Sequence, residues 1–512
     1  MTRPQILLIA AFLTALGAPA SAQLISIKTL PIAQADQFDI FPSRNAGIGG
    51  LSIALADTVF DASINPAKGV RLQGGSFFGS PTIYSVSQAA GAGRTLPVGA
   101  YSRMGRWFGG IAAALQEVDA GQQGFAPRPL DLFGGAPVVT TSSFSNRSHG
   151  NTLGFITLGH AFPGGVSVGA SAFGAVLSAM DGVDFLYAGS SSVIQSGYAA
   201  DVRLGFLKEW EGSAALEAVV LHNRYAMTHD VTFLRTFWDP PTQSTRQSAE
   251  MEHNLDHTNT WGLHTGYQRA VADGWRVGAI ATVNRMFHPK LPNFDVRTAG
   301  IVAIPWDPGD SWAFNAGVGV SKTRGAATFG FDAIYEPIWT YTWGEAEVGP
   351  VPIRTGGTIP LGGKTVENHF VFSNWQFRLG AAHELALGKG GTALIPQVGV
   401  QVRSIRYWLD QMDHVQIAAR QQQERWREWT PTWGLVFRFP ELEIRYQGRA
   451  TSGTGRPGVI SNGRCETCDF ATVATGNILV APVGPVTLGD VLVTTHKISI
   501  SVPLGTPRGR GR

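Results

Sequence analysis

Residues 45–70 read NAGIGGLSIALADTVFDASINPAKGV and contain three groups of small residues, at 47–50, 54–57 and 65–67. Glycine and alanine at this density permit close approach of backbones and unusual φ angles. Asn65 precedes a proline and therefore avoids the helical region, which predicts a turn. The apolar residues between these groups are too sparse for a strand that faces lipid. Two interpretations follow: a leader that ends in a turn, or a plug that folds inside whatever the rest of the chain forms.

Composition narrows the class of protein. The chain has 512 residues, of which only 15% are charged, and it contains 63 Gly, 28 Phe and 14 Trp. This does not suit an ordinary soluble domain of that size, and a net charge of +3 is too small to indicate nucleic-acid binding. After the first residues, no apolar run reaches the roughly 18 residues of a transmembrane helix. A closed β-barrel also satisfies every backbone group in lipid, and its alternating strands fit a mean hydropathy of +0.03.

The first 22 residues are typical of a secretory signal peptide. Arg3 supplies the positive charge, residues 6–16 form the apolar core, and residues 20–22 read Ala-Ser-Ala, a small-residue cleavage site. We therefore expect Sec-type cleavage near Ala22 and a mature chain that begins at Gln23. No cysteine follows the cleavage site, so a lipoprotein anchor is not expected. A buried N-terminal helix is the less favoured alternative.

Strand-like segments with period-two alternation begin near residue 74 and continue to residue 504. In residues 393–403 and 442–449, apolar residues share one face and polar residues share the other. A lipid-facing arginine at the middle of the bilayer costs roughly 2–4 kcal/mol, so the polar faces are expected to point into a lumen. The residues expected to face the lumen are Gln397, Gln401, Arg403, Glu443, Arg445, Gln447 and Arg449, with Glu443 as a partner of the nearby arginines.

Link lengths separate a membrane barrel from a soluble β-sandwich, because strands alternate in both. Tight links such as residues 163–165 and 323–325 alternate with long links, which include residues 85–94, 230–256 and 407–430. Short periplasmic turns and long external loops are typical of outer-membrane barrels. The segments number about sixteen, with about fourteen as the alternative, and an even number places both chain ends in the periplasm.

Few side chains offer chemistry. Cys465 and Cys468 lie in the last long loop, where a local disulfide is the favoured interpretation in an oxidising exterior. A metal site would need four ligands and there is no second cysteine pair, while a redox C-x-x-C would need a thioredoxin-like setting. Residues 165–169 match G-x-S-x-G, but the match opens a strand instead of turning from strand to helix, so we interpret it as chance. We expect no enzyme activity, no cofactor and no metal.

The three small-residue groups resemble the N-terminal segment of the long-chain fatty acid transport family of outer-membrane proteins, which includes aromatic-hydrocarbon transporters. Members open with a Gly-rich segment, an Ala-x-Ala-Asp element and an Asn-Pro-Ala element, and the barrel follows. The matching residues are Gly47, Gly49, Gly50, Ala54, Ala56, Asp57, Asn65, Pro66 and Ala67. The resemblance implies a fourteen-stranded barrel plugged by an N-terminal hatch. It also implies hydrophobic ligands that are captured outside and pass by diffusion, in some members sideways through the wall.

Three departures bear on function more than on fold. Thr58 stands where a second acidic residue is usual, Lys68 stands where a small residue is common, and the chain ends in a basic tail instead of an aromatic residue. A related group of barrels, associated with the export of cargo proteins, is similar in the same motif. The first hypothesis is passive uptake of a hydrophobic small-molecule ligand. The alternatives are a binding or shuttle barrel for protein secretion or surface attachment, with secreted protein partners, and a porin for polar solutes.

The fold prediction is all-β: a transmembrane antiparallel β-barrel of 14–16 strands with an N-terminal hatch inside the lumen. We expect a signal peptide at residues 1–22, a periplasmic segment and hatch at 23–73, the barrel at 74–504 and a basic tail at 505–512. The expected location is the outer membrane of a Gram-negative-type bacterium, in contact with membrane lipid.

Overall fold

A computed structural model of the protein describes residues 37–88, 90–120, 148–183, 192–211, 214–239, 241–288, 293–297, 300–304, 309–346, 349–388, 391–457 and 488–504. The expected signal peptide, the Cys465–Cys468 disulfide and the basic tail at 505–512 lie outside the described residues. Among the described residues, no helix has the length and apolar character needed to cross a membrane.

The described chain is almost entirely strand. Its one α-helix, α1 (Thr58–Ile64), and two 3₁₀ turns (Ala46–Ile48 and Pro66–Arg71) precede the first strand. The strands are β1 (Gly75–Gly79), β2 (Thr82–Val86), β3 (Gly91–Met104), β4 (Trp107–Ala120), β5 (Ser148–Phe162), β6 (Val166–Leu177), β7 (Ser192–Trp210), β8 (Ala214–Asp239), β9 (Ser244–Ala272), β10 (Trp275–His288), β11 (Asn293–Arg297), β12 (Gly300–Ile304), β13 (Gly309–Arg324), β14 (Ala327–Glu345), β15 (Val351–Pro352), β16 (Thr358–Ile359), β17 (Lys364–His383), β18 (Leu385–Ala386), β19 (Ala393–Asp413), β20 (Ala418–Arg438), β21 (Glu443–Pro457) and β22 (Leu488–Leu504).

The strands close into an antiparallel barrel. β1 and β2 form one interrupted strand, which pairs with β3 on one side and with the last strand, β22, on the other. Together they take one position in the ring, β3–β10 take eight, and β13, β14, β17, β19, β20, β21 and β22 take seven, which makes sixteen. The upper end of the predicted range is therefore confirmed. The fourteen strands implied by the family resemblance are wrong for this chain.

The two faces of the barrel differ as the alternation predicts. Large apolar side chains such as Ile156, Leu204 and Val398 are exposed on the outer face, as a wall in contact with lipid requires. Exposed Trp107, at the start of β4, and Trp275, at the start of β10, lie beside short turns, where an aromatic girdle is expected. The inner face is rich in small and polar residues.

Three of the expected long loops are wrong. Residues 230–256 continue the β8–β9 ladder to the pair Asp239↔Ser244, and residues 407–430 continue the β19–β20 ladder to Asp413↔Ala418. Most of residues 85–94 belong to strands β2 and β3, because Val86 already pairs with Gly91. Beyond the apolar band both faces of a strand contact water, so the hydrophobic alternation disappears while the backbone hydrogen bonding continues.

Residues 37–72, which we call the N-terminal segment, lie inside the barrel. Inward-facing side chains on opposite sides of the ring bind it: Gln116 of β4 contacts the Gln37 carbonyl at 2.7 Å and Asp332 of β14 accepts from the Ser52 amide at 2.9 Å. A segment that contacts the same face of a closed ring on opposite sides is in its interior. Residues 37–44 are part of this interior segment, since Ile40 is fully buried there.

Candidate functional site

The Gly-rich group lies against glycines of the barrel wall. The Gly49 amide donates to Thr432 Oγ1 at 2.9 Å, and its carbonyl accepts from Gln401 at 2.9 Å. A Cβ on Gly399 of β19 would lie 2.3 Å from the Gly49 nitrogen, and a Cβ on Gly47 would lie 3.0 Å from the Cα of Gly434. Gly49 itself has φ +77°, which other residues rarely adopt. Because both the segment and the barrel wall have glycine at these positions, their backbones are in direct contact.

The Ala-x-Ala-Asp group closes the loop that carries these glycines. Asp57 Oδ2 accepts from the Ser43 hydroxyl at 2.6 Å and from the Arg44 amide at 2.6 Å. The Ala54 carbonyl accepts from the Ser321 hydroxyl at 2.8 Å, and Ala54 is buried while Ala56 is half-buried. Asp57 thus joins the end of the loop to its start at Ser43 and Arg44. The small alanine side chains allow the loop to pack against the barrel wall.

The Asn-Pro-Ala group starts the second 3₁₀ turn. Asn65 is fully buried, and its Oδ1 accepts from the Ala67 amide at 3.0 Å while its Nδ2 donates to Glu217 at 2.8 Å. The backbone of Pro66 lies against Gly169, where a Cβ would come within 2.7 Å of the Pro66 carbonyl carbon. The single side chain of Asn65 therefore caps the turn and binds it to β8.

A buried ion network lies directly after this turn. Lys68 Nζ is 2.9 Å from Glu217 and 3.8 Å from Asp61, and all three side chains are less than a tenth exposed. Arg71 extends the network, at 3.9 Å from Asp61 and 3.0 Å from Glu209 of β7. Lys68, a departure from the family pattern, thus supplies the charge between two carboxylates.

Burial and charge shift the ionisation of the N-terminal segment. Burial raises the pKa of Asp61 to about 6, although attraction to Lys68 opposes that shift. Burial alone would lower the pKa of Lys68, but the charges of Asp61 and Glu217 outweigh it and raise that pKa. Asp61 therefore titrates in a range where it is ordinarily fully ionised.

The polar residues expected to face the lumen divide into two groups. Gln397 and Gln447 donate to carbonyls of the N-terminal segment, those of Arg44 and Ser43, both at 2.9 Å, as Gln401 does to that of Gly49. The second group makes ion pairs: Arg403 is 2.7 Å from Glu336, and buried Arg445 contacts Glu443. Arg449 pairs with inward-facing Thr432 and also has an interaction partner.

Two apolar clusters line the interior. The proximal apolar cluster contains residues of the N-terminal segment together with inward residues of β1 and β3–β8, among them Ile40, Phe41, Ala62, Phe78, Tyr101, Leu153, Phe155 and Met227. The distal apolar cluster consists only of wall residues: Met286, Ala313, Ile338, Phe370, Phe372, Ile405, Tyr407 and Leu409, with Trp426 packed against them.

The distal apolar cluster lies beyond the N-terminal segment along the barrel axis. On β17, Arg378 binds the Gly50 carbonyl at 3.0 Å, and Phe372 and Phe370 follow six and eight residues farther from the short turns. On β19, Gln401 binds the segment, and Ile405 and the rest of the cluster follow. On this side of the barrel, the wall thus has small and polar residues where it contacts the segment and apolar residues beyond it.

Lys68 and Ser167 have structural roles that the sequence pattern does not predict. Lys68 stands out in the sequence only as a departure from the family pattern, and Ser167 only as part of a chance motif. The Ser167 hydroxyl donates to the Ala67 carbonyl at 3.1 Å, which is a structural role. A signal for the wall contacts does exist, since Gly380 and Gly399 stand on inward faces within strands, where glycine often marks close backbone approach.

Comparison with known proteins agrees with this architecture. No protein-family model and no curated protein sequence matches the chain. The structure of a Pseudomonas aeruginosa FadL homologue aligns with a TM-score of 0.50 and 11% identity, over 93% of this chain and 100% of that one. The toluene transporters TbuX of Ralstonia pickettii (TM-score 0.41, 10% identity, 92% and 100% covered) and TodX of Pseudomonas putida (0.40, 10%, 93% and 100%) also align. The predicted resemblance is therefore confirmed at the level of fold: the chain is a closed β-barrel similar to that of the Pseudomonas FadL homologue.

Proposed function

We propose that the protein is an outer-membrane passive transporter for hydrophobic small molecules, of the fatty-acid or hydrocarbon kind, and that residues 37–72 act as its hatch. One observation carries the proposal: the N-terminal segment is bound across the lumen, and beyond it the inner wall is apolar. A hydrophobic molecule would find a lining of its own polarity on the outer side of the segment.

The same contacts weigh against a porin for polar solutes. A polar inner face would suit a porin, but Gln397, Gln401 and Gln447 each donate to the backbone of the N-terminal segment. These glutamine side chains hold the segment against the wall, whereas in an open aqueous path they would face water. The alternative of a barrel for protein secretion stays a prediction, which co-purifying cargo proteins would support.

Uptake by whole cells tests the proposal. Uptake is compared between cells that carry the protein in their outer membrane and cells that lack it. The radiolabelled solutes are oleate, toluene and a disaccharide of a mass similar to that of oleate. The proposal expects faster uptake of at least one hydrophobic solute and unchanged uptake of the disaccharide. Faster entry of the disaccharide alone would contradict it.

Variants then locate the path. Phe372→Gln places a polar amide in the distal apolar cluster, and we expect it to slow hydrophobic uptake several-fold. His369→Gln is the matched control, because His369 is on the same strand and faces the opposite side. Equal uptake by both variants, with both barrels folded, would exclude the distal apolar cluster from the path.

A further inference from the structure

The outer face of the β19–β20 hairpin changes character along its length. Gln397 and Thr432 face inward, so even positions of β19 and odd positions of β20 face outward. The outward positions of β19 are apolar at residues 398–402, and Val398 is 62% exposed. Farther from the short turns the outward positions become Arg406 on β19 and Arg425 and Arg427 on β20.

These three residues, which we call the arginine triad, are adjacent on one surface. Arg406 is directly opposite Arg425, and Arg427 is two positions from Arg425 on the same face. Directly opposite residues of an antiparallel pair have Cβ atoms about 4.5–5.5 Å apart, and like charges there destabilise the sheet. All three side chains are exposed. The sheet therefore places positive charges together at a position that repels them.

The triad has no counter-ion of its own. Within the part of the chain that the structure describes, none of the three guanidinium groups makes an ion pair or a side-chain hydrogen bond. Two other outward arginines are different: Arg94 is 2.6 Å from Glu117, and Arg285 is 3.0 Å from Asp310. An external anion would give the triad the negative partner that Glu117 gives Arg94 and that Asp310 gives Arg285.

The level of the triad in the membrane identifies the kind of anion. Trp375 pairs with Ser404, one outward position below Arg406, and Trp429 is one outward position below Arg427; both tryptophans are exposed. Exposed aromatic residues mark the boundary between the apolar band and the head groups. The hairpin end also lies away from the short turns, which is the external side in an outer-membrane barrel. Trp408, the next outward position beyond Arg406, is aromatic as well, so the arginines lie within the aromatic belt, at the level of the head groups of the outer leaflet.

We propose that the arginine triad binds the phosphate groups of a phosphorylated lipid in the outer leaflet. Guanidinium groups form paired hydrogen bonds with phosphate oxygens, and the hydroxyl of Ser404, directly opposite Arg427, faces the same surface. A phosphate between Arg406 and Arg425 would replace their repulsion by two attractions. This proposal rests on the placement of the barrel in an outer membrane and not on what the barrel transports.

Lipid titration of the purified full chain in detergent tests the proposal. Bound diphosphorylated lipid A is measured by native mass spectrometry for the wild type, for the triple variant Arg406→Gln/Arg425→Gln/Arg427→Gln, and for Arg285→Gln as control. We expect the triple variant to bind about 100-fold more weakly, at roughly fivefold for each arginine near a charged lipid surface. The control, whose arginine already pairs with Asp310, should change little.

Three further measurements distinguish a phosphorylated lipid from a free phosphate ion and from a loss of folding. Lipid A without its phosphates should bind the wild type as weakly as diphosphorylated lipid binds the triple variant. Inorganic phosphate at the same concentration should not displace the lipid, and full displacement would assign the site to a free ion. Equal lipid binding by wild type and triple variant would overturn the proposal. If the triple variant does not fold, Arg425→Gln alone should weaken binding about fivefold.

Discussion

At the scale of single residues, Lys68 is a buried charge that joins the N-terminal segment to the barrel wall. It lies between Glu217 on the wall and Asp61 on α1, and all three side chains are buried. A buried ion pair contributes little net stability, but removal of one partner leaves an uncompensated charge. In this barrel, Lys68 therefore determines whether the helix and the second 3₁₀ turn can stay against β8.

Lys68→Met should release this part of the N-terminal segment. Loss of the cation removes the central partner of two buried carboxylates and leaves Asp61 with the more distant Arg71, which costs about 3–5 kcal/mol. We expect amide hydrogen exchange of residues 58–71 to accelerate by roughly two to four powers of ten, while exchange of the barrel strands stays the same. Arg94→Met, which breaks an exposed pair with Glu117, is the control and should change stability by less than about 1 kcal/mol. Unchanged exchange in Lys68→Met would contradict the role of the network.

The pKa of Asp61 predicts a pH dependence with a definite sign. Its pKa is about 6 in the folded protein, against an ordinary value of 3.8, so the bound segment keeps a proton that the released segment has lost. Binding of the segment should therefore be strongest below about pH 4 and weaken by up to about tenfold for each pH unit toward pH 6. Above that range this contribution is constant.

Hydrogen exchange between pH 4.5 and 7, corrected for the intrinsic rate of exchange, measures this effect on residues 58–71. Asp61→Asn removes the titrating group and should remove the slope. A wild type without a slope, or a variant that keeps the full slope, would show that another group is responsible.

At the scale of elements, close approach between the first 3₁₀ turn and β19 is the contact most sensitive to side-chain size. Gly399→Ala adds a Cβ 2.3 Å from the backbone nitrogen of Gly49, a distance that requires the backbone to move. We expect the barrel to fold and the first 3₁₀ turn to lose its place on the wall. The rate at which a thiol reagent labels the cysteine of an Ala46→Cys variant measures this change. We expect faster labelling when Gly399→Ala is also present.

Gly154→Ala is the matched control for this prediction. Gly154 is also inside a strand, where it pairs with Gly174, but a Cβ there meets no atom within 4 Å. It should leave accessibility at position 46 unchanged. If Gly399→Ala behaved in the same way as this control, the glycine contact would not hold the segment.

The elements also show how far sequence reasoning reaches. Alternation is enough to place Gln401 and Arg445 on the inner face, because a lipid-facing charge is costly. It fails in the β8–β9 and β19–β20 hairpins, since strands surrounded by water on both faces lose the apolar period while they keep their ladder. It also cannot pair Gly49 with Gly399 or Lys68 with Glu217, because those contacts join distant positions in the chain and depend on how the barrel closes.

At the scale of the whole molecule, the barrel combines three zones along its axis. The N-terminal segment is bound across the lumen near the short turns, and the distal apolar cluster lines the wall beyond it. The long hairpins extend farther, and the arginine triad is on the outer face of the β19–β20 hairpin. Under the proposed function, the segment would keep ions and polar solutes out, and the apolar wall would admit hydrophobic molecules from outside.

The most direct test of the hatch is the ionic conductance of the reconstituted barrel in a planar bilayer, measured for the wild type and for a chain without residues 45–70. Heat-dependent migration on a gel first shows that both barrels are folded. We predict that the wild type conducts weakly and that the deletion opens a large, stable conductance, because sixteen strands enclose a wide lumen once the segment is gone. Equal conductance of the two folded barrels would contradict a hatch at these residues.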